Sequence, residues 1–214
     1  MPAQPPPGHA ILIPAKQLST AKSRLGAWLG SSERRELAAA MLADVVHATA
    51  AWRERFVVTG DAVLAEIAAA SGCLPIPDPG DGLNAALRAG SFRAARAGAT
   101  SLLVLPSDVP LVAEEDVAGL FATEAAVVVA RSLDGGTTGL LRTPPGVIDP
   151  AFGPHSAHLH AQAAMRAGVS VAVVAPPSVA LDVDGLADLQ RLAAATAARR
   201  SVAVARRVLG SRIA

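Results

Sequence analysis

Short, almost wholly apolar runs alternate along this chain with longer stretches in which apolar residues recur every three or four positions. The runs at 10–14, 56–59, 101–105, 125–131 and 169–174 are rich in Val, Ile, Leu and Ala, the pattern of strands covered on both faces. Between the first two, Leu37, Met41, Leu42, Val45 and Val46 fall at helical spacing. They predict a helix from Ser32, as N-cap, to about Trp52. Arg35 stands where a capping-box acid would sit, so no box is expected from Ser32, while Glu33 and Glu36 place negative charge in the first turn. Further helices are predicted at 62–70, 83–97, 114–122, 156–167 and 185–198, three of them closed by Gly72, Gly98 or Gly168. Residues 74–76 read as a short edge-like strand. Gly135-Gly136 turns residues 138–142 back as an antiparallel strand. No internal repeat or linker interrupts the alternation. The expectation is a single-domain α/β fold: a three-layer α/β/α sandwich around a mostly parallel sheet with an antiparallel insertion. It spans residues 10–198, between a Pro-rich, disordered leader (1–9) and an Arg-rich C-terminal helix or tail (199–214).

Composition narrows the function classes. The chain has 214 residues, 51% hydrophobic and 17% charged, which fits one folded domain and excludes a disordered chain. Its net charge of +1 gives no support to nucleic-acid binding. Arg199, Arg200, Arg206, Arg207 and Arg212 crowd the C-terminus. They read either as a surface for an anionic partner or as a solvated helix and tail, and an enzyme would keep its turnover without residues beyond Ala198. The single cysteine, Cys73, excludes an intrachain disulfide, reads as a small core residue and fits a reducing cytoplasm. Residues 1–8 lack the basic and apolar regions of a signal peptide. No uncharged apolar run approaches the ~18 residues of a membrane span.

Four segments carry candidate chemistry. After the strand at 101–105, Pro106 and Pro110 bracket Asp108, leaving its carboxylate at the carboxyl end of a buried strand, the edge where open α/β sheets bind ligands. Asp182 and Asp184 follow another apolar run. Hard oxygen ligands at two such positions suit Mg²⁺ and phosphate chemistry. Asp184, followed by Gly185-Leu186, also reads as a helix N-cap, which makes Asp182 the better ligand candidate. The connection from Pro14 to Leu25 holds Lys16, Lys22 and Arg24, either as a triphosphate-wrapping loop or as a solvated one. It is neither a Walker A loop nor a dinucleotide fingerprint. Residues 78–84 are Gly-rich, and Asn84 could offer donor and acceptor to a base edge, or simply lie near a helix start. The turns at 135–139 and 152–156 supply small residues and hydroxyls for holding carboxylate or phosphate. His155, His158 and His160 match no zinc signature, and a phosphate-facing His155 is the better reading.

Taken in order, Pro14-Ala15-Lys16, Ala21-Lys22-Ser23-Arg24-Leu25, Gly82-Leu83-Asn84, Pro106-Ser107-Asp108-Val109-Pro110, Phe152-Gly153-Pro154-His155-Ser156 and Asp182-Val183-Asp184-Gly185-Leu186-Ala187-Asp188-Leu189 resemble the 2-phospho-L-lactate guanylyltransferase family. That family includes the phosphoenolpyruvate guanylyltransferases. The resemblance implies a Rossmann-like nucleotidyltransferase fold, GTP as donor, a three-carbon phospho-acid as acceptor and a place in coenzyme F-420 biosynthesis, coupled to the downstream transferase. Carried over by motif, Pro14, Ala15, Lys16, Lys22, Arg24, Gly82, Asn84 and Asp108 would bind nucleotide. Thr138, Gly153 and Ser156 would bind the acceptor, Asp108 and Asp182 would hold Mg²⁺, and Asp108, Lys22 and Arg24 would be catalytic. Gly185-Leu186 stands where the family often has Thr-Pro, and both acids are kept.

The implied chemistry is attack of the acceptor phosphate on the α-phosphorus of GTP. The attacking group is already an anion at neutral pH, so no general base is required. Two alternatives remain. One is a related nucleotidyltransferase acting on 3-phospho-D-glycerate, a sugar phosphate or molybdopterin, although the Leu-Ala-Ala-Gly-x-Gly signature usual in the last two is absent. The other is a non-catalytic nucleotide-binding module.

Overall fold

The computed structural model describes residues 5–19 and 21–211. Residues 1–4 of the expected leader, Thr20, and residues 212–214 with Arg212 lie outside the described residues. The strands are β1 (His9–Pro14), β2 (Glu54–Thr59), β3 (Leu74–Pro77), β4 (Ser101–Val104), β5 (Val127–Arg131), β6 (Thr137–Arg142) and β7 (Val171–Val174). The helices are α1 (Ser31–Ala48), α2 (Ala62–Ala70), α3 (Leu83–Arg96), α4 (Glu114–Ala122), α5 (Ser156–Arg166), α6 (Leu186–Ala194) and α7 (Arg200–Gly210), with a 3₁₀ turn at Ser23–Leu25.

Among the described residues the strands form one seven-stranded sheet in the order β3-β2-β1-β4-β6-β5-β7. β6 runs antiparallel to both β4 and β5, and the other pairings are parallel. The period-2 geometry of a strand sorts side chains to opposite faces. Ile11, Ile13, Val57, Leu103 and Val128 pack beneath α1, α2 and α4. Ala10, Leu12, Phe56, Val58, Leu102, Val104 and Val129 pack beneath α3 and α5. Both faces are therefore apolar, which is why the strands read as continuous hydrophobic runs. Cys73 lies in the first of these clusters. None of the described helices is long and apolar enough to cross a membrane.

Helix α1 begins two residues earlier than its Ser32 signal suggests. Gly30 is the N-cap, and its N–H donates to the Glu33 carboxylate at 2.7 Å. The helix ends at Ala48, where the Thr49 hydroxyl donates back to the carbonyls of Val45 and Val46. It is buried on two sides. Leu42, Val45 and Val46 face the sheet, whereas Leu37 and Met41 join a third cluster with Leu25, Val183, Leu189, Leu192, Val202, Ala205 and Val208.

That third cluster corrects the view of the C-terminus as a solvated helix or tail. The apolar face of α7 is core, while Arg200, Arg206 and Arg207 stay exposed, the last two with partners on this chain. Arg206 donates to the carbonyls of Ala193 and Ala195 at 2.8 and 2.7 Å, closing the C-terminus of α6. Arg207 pairs with Glu36, and Arg199 donates to the Val112 carbonyl. Removing everything after Ala198 would strip Val202, Ala205 and Val208 from this core, so loss of stability, and of turnover with it, is the outcome to expect of such a truncation.

The first turn of α7 rests on a buried carboxylate. Asp44 of α1 accepts from Arg200 N–H at 3.0 Å, from Ser201 N–H at 2.8 Å and from the Ser201 hydroxyl at 2.6 Å. These satisfy donors that a helix N-terminus otherwise leaves open, with the favourable sign of the helix dipole. Asp44→Ala is expected to lower unfolding stability by about 2–4 kcal/mol, the cost of losing charge-assisted bonds and leaving buried donors unpaired. A shift in the urea midpoint measures it.

Candidate active site

The parallel strands β1 and β4 end at one edge of the sheet, and the segments leaving them turn over that edge. Ser107 N–H donates to the Pro14 carbonyl at 3.3 Å, which ties the two exits together. Asp108 follows immediately. Its backbone carbonyl accepts from Val183 N–H at 3.0 Å, bringing the Asp182–Asp184 segment alongside. Val183 itself is fully buried in the α1–α6–α7 cluster, with an acid on either side of it.

Lys22 lies among these carboxylates. Its Nζ is 3.1 Å from Asp108 Oδ2 and 3.2 Å from Asp184 Oδ1, with its side chain only 8% exposed. Burial works to lower its pKa, but the charges of Asp108 and Asp184 and the hydrogen bonds to both hold it above the usual lysine value. Lys22 adopts left-handed backbone torsions (φ 52°, ψ 38°), which a lysine rarely takes, as the chain enters the 3₁₀ turn. Arg24 reaches the other oxygen of Asp184 at 3.5 Å from an exposed position. Lys16 is exposed on the same connection. Asp182 is half-buried, and its pKa is pushed up to about 6, first by burial and then by the negative charge of Asp108, with smaller contributions from Asp134 and Asp184.

The helix-cap reading of Asp184 needs correction. Gly185 is the N-cap of α6, and Asp188 accepts from the N–H groups of Gly185 and Asp184 at 2.9 and 3.3 Å. The Asp184 carboxylate is thereby left to Lys22 and Arg24.

The second half of the site comes from the strand inversion. Because β6 runs against its neighbours, it starts at the edge where they end. Arg131 pairs with Thr137 and Val104 with Leu140, so Thr137 and Thr138 project past the end of β4 on the same side as Asp108. The Thr138 hydroxyl donates to the Ala130 carbonyl at 3.2 Å and is buried. The turn before it is shaped by Asp134, which accepts from Ser132 Oγ and from Gly136 N–H. Ala157 N–H then donates to the Gly135 carbonyl at 3.4 Å, joining this turn to the start of α5. Gly153 takes φ 147° and His155 a left-handed φ of 57° to enter that helix. The Ser156 hydroxyl is buried without a hydrogen-bond partner, an unsatisfied polar group of the kind folded proteins rarely keep.

A family model described as "Guanylyl transferase CofC like" matches residues 9–208. The chain belongs to this family. It is 43% identical over 189 residues to the phosphoenolpyruvate guanylyltransferase of Rubrobacter xylanophilus, covering 86% of this chain and 92% of that protein. It is 39% identical over 195 residues to the 3-phospho-D-glycerate guanylyltransferase of Phenylobacterium zucineum, covering 86% and 89%. In fold it is similar to a protein from Desulfovibrio desulfuricans G20 described as a nucleotide-diphospho-sugar transferase, with a TM-score of 0.77 at 20% identity over 94% of each chain. It is also similar to the CMP:2-keto-3-deoxy-manno-octonic acid synthetase complexed with CTP, with a TM-score of 0.54 at 15% identity over 86% and 96%. The CofC-like family and the α/β nucleotidyltransferase fold are those that the ordered motifs implied.

Within that family fold, Asp108, Lys22, Arg24 and the acids at 182 and 184 converge. Gly82 (φ 88°) and Asn84 open α3, while Gly153 and Ser156 open α5. The segment around Gly80 and Gly82 is exposed. Asn84 is linked to the loop before α5: its Oδ1 accepts from Phe152 N–H at 2.8 Å and its Nδ2 donates to the Phe152 carbonyl at 3.0 Å.

Sequence reasoning missed His160. Its Nε2 accepts from Ala151 N–H at 2.8 Å, which places the proton on Nδ1, 3.0 Å from Thr137 Oγ1. The signal was present. His160 shares the buried stripe of α5 with Ser156, Ala157 and Ala164, whereas His155 and His158 are exposed.

Burial, with a smaller contribution from the Arg142 charge, lowers the His160 pKa to about 4. The unfolded chain therefore takes up this proton first as pH falls. Stability from the neutral imidazole is present above about pH 6.5 and is lost on acidification through about pH 4, by up to about 3 kcal/mol. An NMR titration is expected to find His160 neutral, with its proton on Nδ1, at pH 6. Denaturation midpoints at pH 7 and 4.5 are expected to differ less in His160→Gln than in the parent.

Proposed function

We propose that the protein transfers GMP from GTP to the phosphate of a three-carbon phospho-acid, phosphoenolpyruvate foremost, and releases pyrophosphate. 2-Phospho-L-lactate and 3-phospho-D-glycerate are the other acceptors to be tested. The observation that carries this reading is the meeting of Asp108, Asp182 and Asp184 with the buried ammonium of Lys22 where β1 and β4 end. Family membership and the names of the relatives support the choice of donor and acceptor.

The acidic set fits Mg²⁺ in one particular way. Among the described residues no group of three or more His, Cys, Asp or Glu forms a ready metal cage. Yet Asp108 and Asp182 are crowded enough for the charge of one to raise the pKa of the other. Two carboxylates completed by substrate phosphates is the kind of coordination Mg²⁺ accepts. Asp108 and Asp182 would hold it, and when bound it supplies charge neutralisation of the phosphoryl oxygens and in-line alignment.

The remaining roles belong to this chain's own groups. Lys22, Arg24 and Lys16 offset the repulsion between two polyanions. Pro14, Ala15 and the Gly82–Asn84 turn line the nucleotide side. Across from them, Thr138, Gly153 and Ser156 shape the acceptor side, where the unpaired Ser156 hydroxyl is a donor suited to a carboxylate or phosphate oxygen. With the phosphate as nucleophile, no side chain has to remove a proton. We place this reaction in the cytoplasm, in coenzyme F-420 biosynthesis, with the product passed to the transferase that follows.

Pyrophosphate release with GTP and Mg²⁺, offering the three acceptors separately and checking product mass, tests the reading. A parallel set containing the F-420 transferase and its deazaflavin acceptor captures a short-lived product. Turnover with phosphoenolpyruvate is expected, and silence with every acceptor in both sets would overturn guanylyl transfer. Asp108→Asn is expected to lower kcat by about 10²-fold or more, on the order of 3 kcal/mol of transition-state stabilisation, when measured well below a melting midpoint that the loss of one Lys22 partner also lowers.

A further inference from the structure

The segment 143–155 between β6 and α5 has no helix or strand, and it delivers Gly153 and Ser156 to the acceptor side. Two neighbouring residues in it, Ala151 and Phe152, are held through their backbone by side chains of two different helices. Asn84 of α3 takes both polar groups of Phe152, donating to its carbonyl at 3.0 Å and accepting from its N–H at 2.8 Å. His160 of α5 accepts from Ala151 N–H at 2.8 Å. The Phe152 ring then packs edge-on against the His160 ring, centroids 5.1 Å apart. The other nitrogen of His160 reaches Thr137, the neighbour of Thr138.

The chain is thus clamped at residues 151–152, one residue before Gly153. The arm that crosses the site starts two residues after Gly82. A carboxamide matched to a peptide unit uses an N–H donor and its carbonyl acceptor together. With its amide directed at Phe152, Asn84 does not present the free donor–acceptor edge that reading a base requires. Transfer between two bound anions depends on their mutual placement, and misplacement by about 1 Å costs about 10²-fold in rate. A direct tie between the nucleotide-side turn and the acceptor-side loop meets that requirement.

We propose that Asn84 is a positioning residue that locks the Gly153–Ser156 loop to the nucleotide-side turn, and that His160 is the second anchor of the same loop. The inference rests on the guanylyl-transfer reading and assigns the Asn84 side chain to substrate registration, not to guanine recognition. Its backbone remains part of the nucleotide-side turn.

The experiment compares wild type, Asn84→Ala, His160→Asn and the double variant, using the acceptor that the wild type turns over. Wild-type turnover in the same assay reports guanylyl transfer itself, so failure of that reading and failure of the clamp are separate results. For Asn84→Ala the acceptor KM is expected to rise about 10-fold and kcat to fall, while the GTP-to-ATP ratio of kcat/KM stays within about twofold, since no base contact is lost. His160→Asn, which cannot reach Ala151 as the imidazole does, is expected to give the same acceptor-selective defect. The double variant is expected to be little worse than the more severe single one, because both hold one loop. A collapse of the GTP-to-ATP ratio in Asn84→Ala with the acceptor KM unchanged would overturn the proposal in favour of base reading. Equal losses for both substrates that follow a lowered melting temperature would also overturn it, reducing the contacts to general fold support.

Discussion

One buried ammonium organises the acidic edge of this molecule. Lys22 bridges Asp108 and Asp184, which arrive from the end of β4 and from the segment before α6, while Lys22 itself comes from the exit of β1. Three distant stretches of sequence are therefore held by two ion pairs at about hydrogen-bond length. Removing either carboxylate leaves the buried ammonium with one partner in place of two, and removing Lys22 leaves the acids with no cation buried among them. The raised pKa of Asp182 shows what the edge would be without its cation: carboxylates crowded together and held out of water. The left-handed backbone at Lys22 is the local strain accepted to aim that side chain inward.

The sheet makes the arrangement possible through its single inversion. Were β6 parallel like the rest, its first residues would lie at the far edge, and Thr137 and Thr138 could not stand beside Asp108. Running it antiparallel puts a hairpin turn, shaped by Asp134 and Gly136, at the binding edge. The turn then docks on the start of α5 through Gly135 and Ala157. The two halves of the rim are thus built from different kinds of connection, a βα crossover and a hairpin.

Much of this architecture was legible in the sequence because burial on two faces leaves continuous apolar runs and helices leave a three-to-four spacing. Asp108 was legible because prolines punctuate the strand end. Boundaries were less so. An Ala-rich stretch reads as helix to residue 198, yet α6 stops at Ala194, where Arg206 from a later helix closes its carbonyls. The roles of Asp184, Asn84 and Asp44 were not legible either, since each depends on a partner between 68 and 162 positions away. Local patterns report which side of an element is buried, not what meets it there. Asp184 was read as a cap because a short acid before a glycine is locally sufficient for one, and only the Asp188 carboxylate, which takes the N–H groups at the helix start, leaves it for the ion pair.

The third hydrophobic cluster has a consequence for how the protein comes into being. Val183, wedged between the two acids, shares that cluster with Val202, Ala205 and Val208 of α7. Residues 200–210 leave the ribosome after every other described element. Until they do, Val183 has only the packing that Leu25, Leu37, Met41, Leu189 and Leu192 supply, although the whole sheet is already made. A chain clipped within α7 would thus hold its acidic edge less firmly. The last helix reaches that edge through a shared apolar core, with no contact to the carboxylates needed.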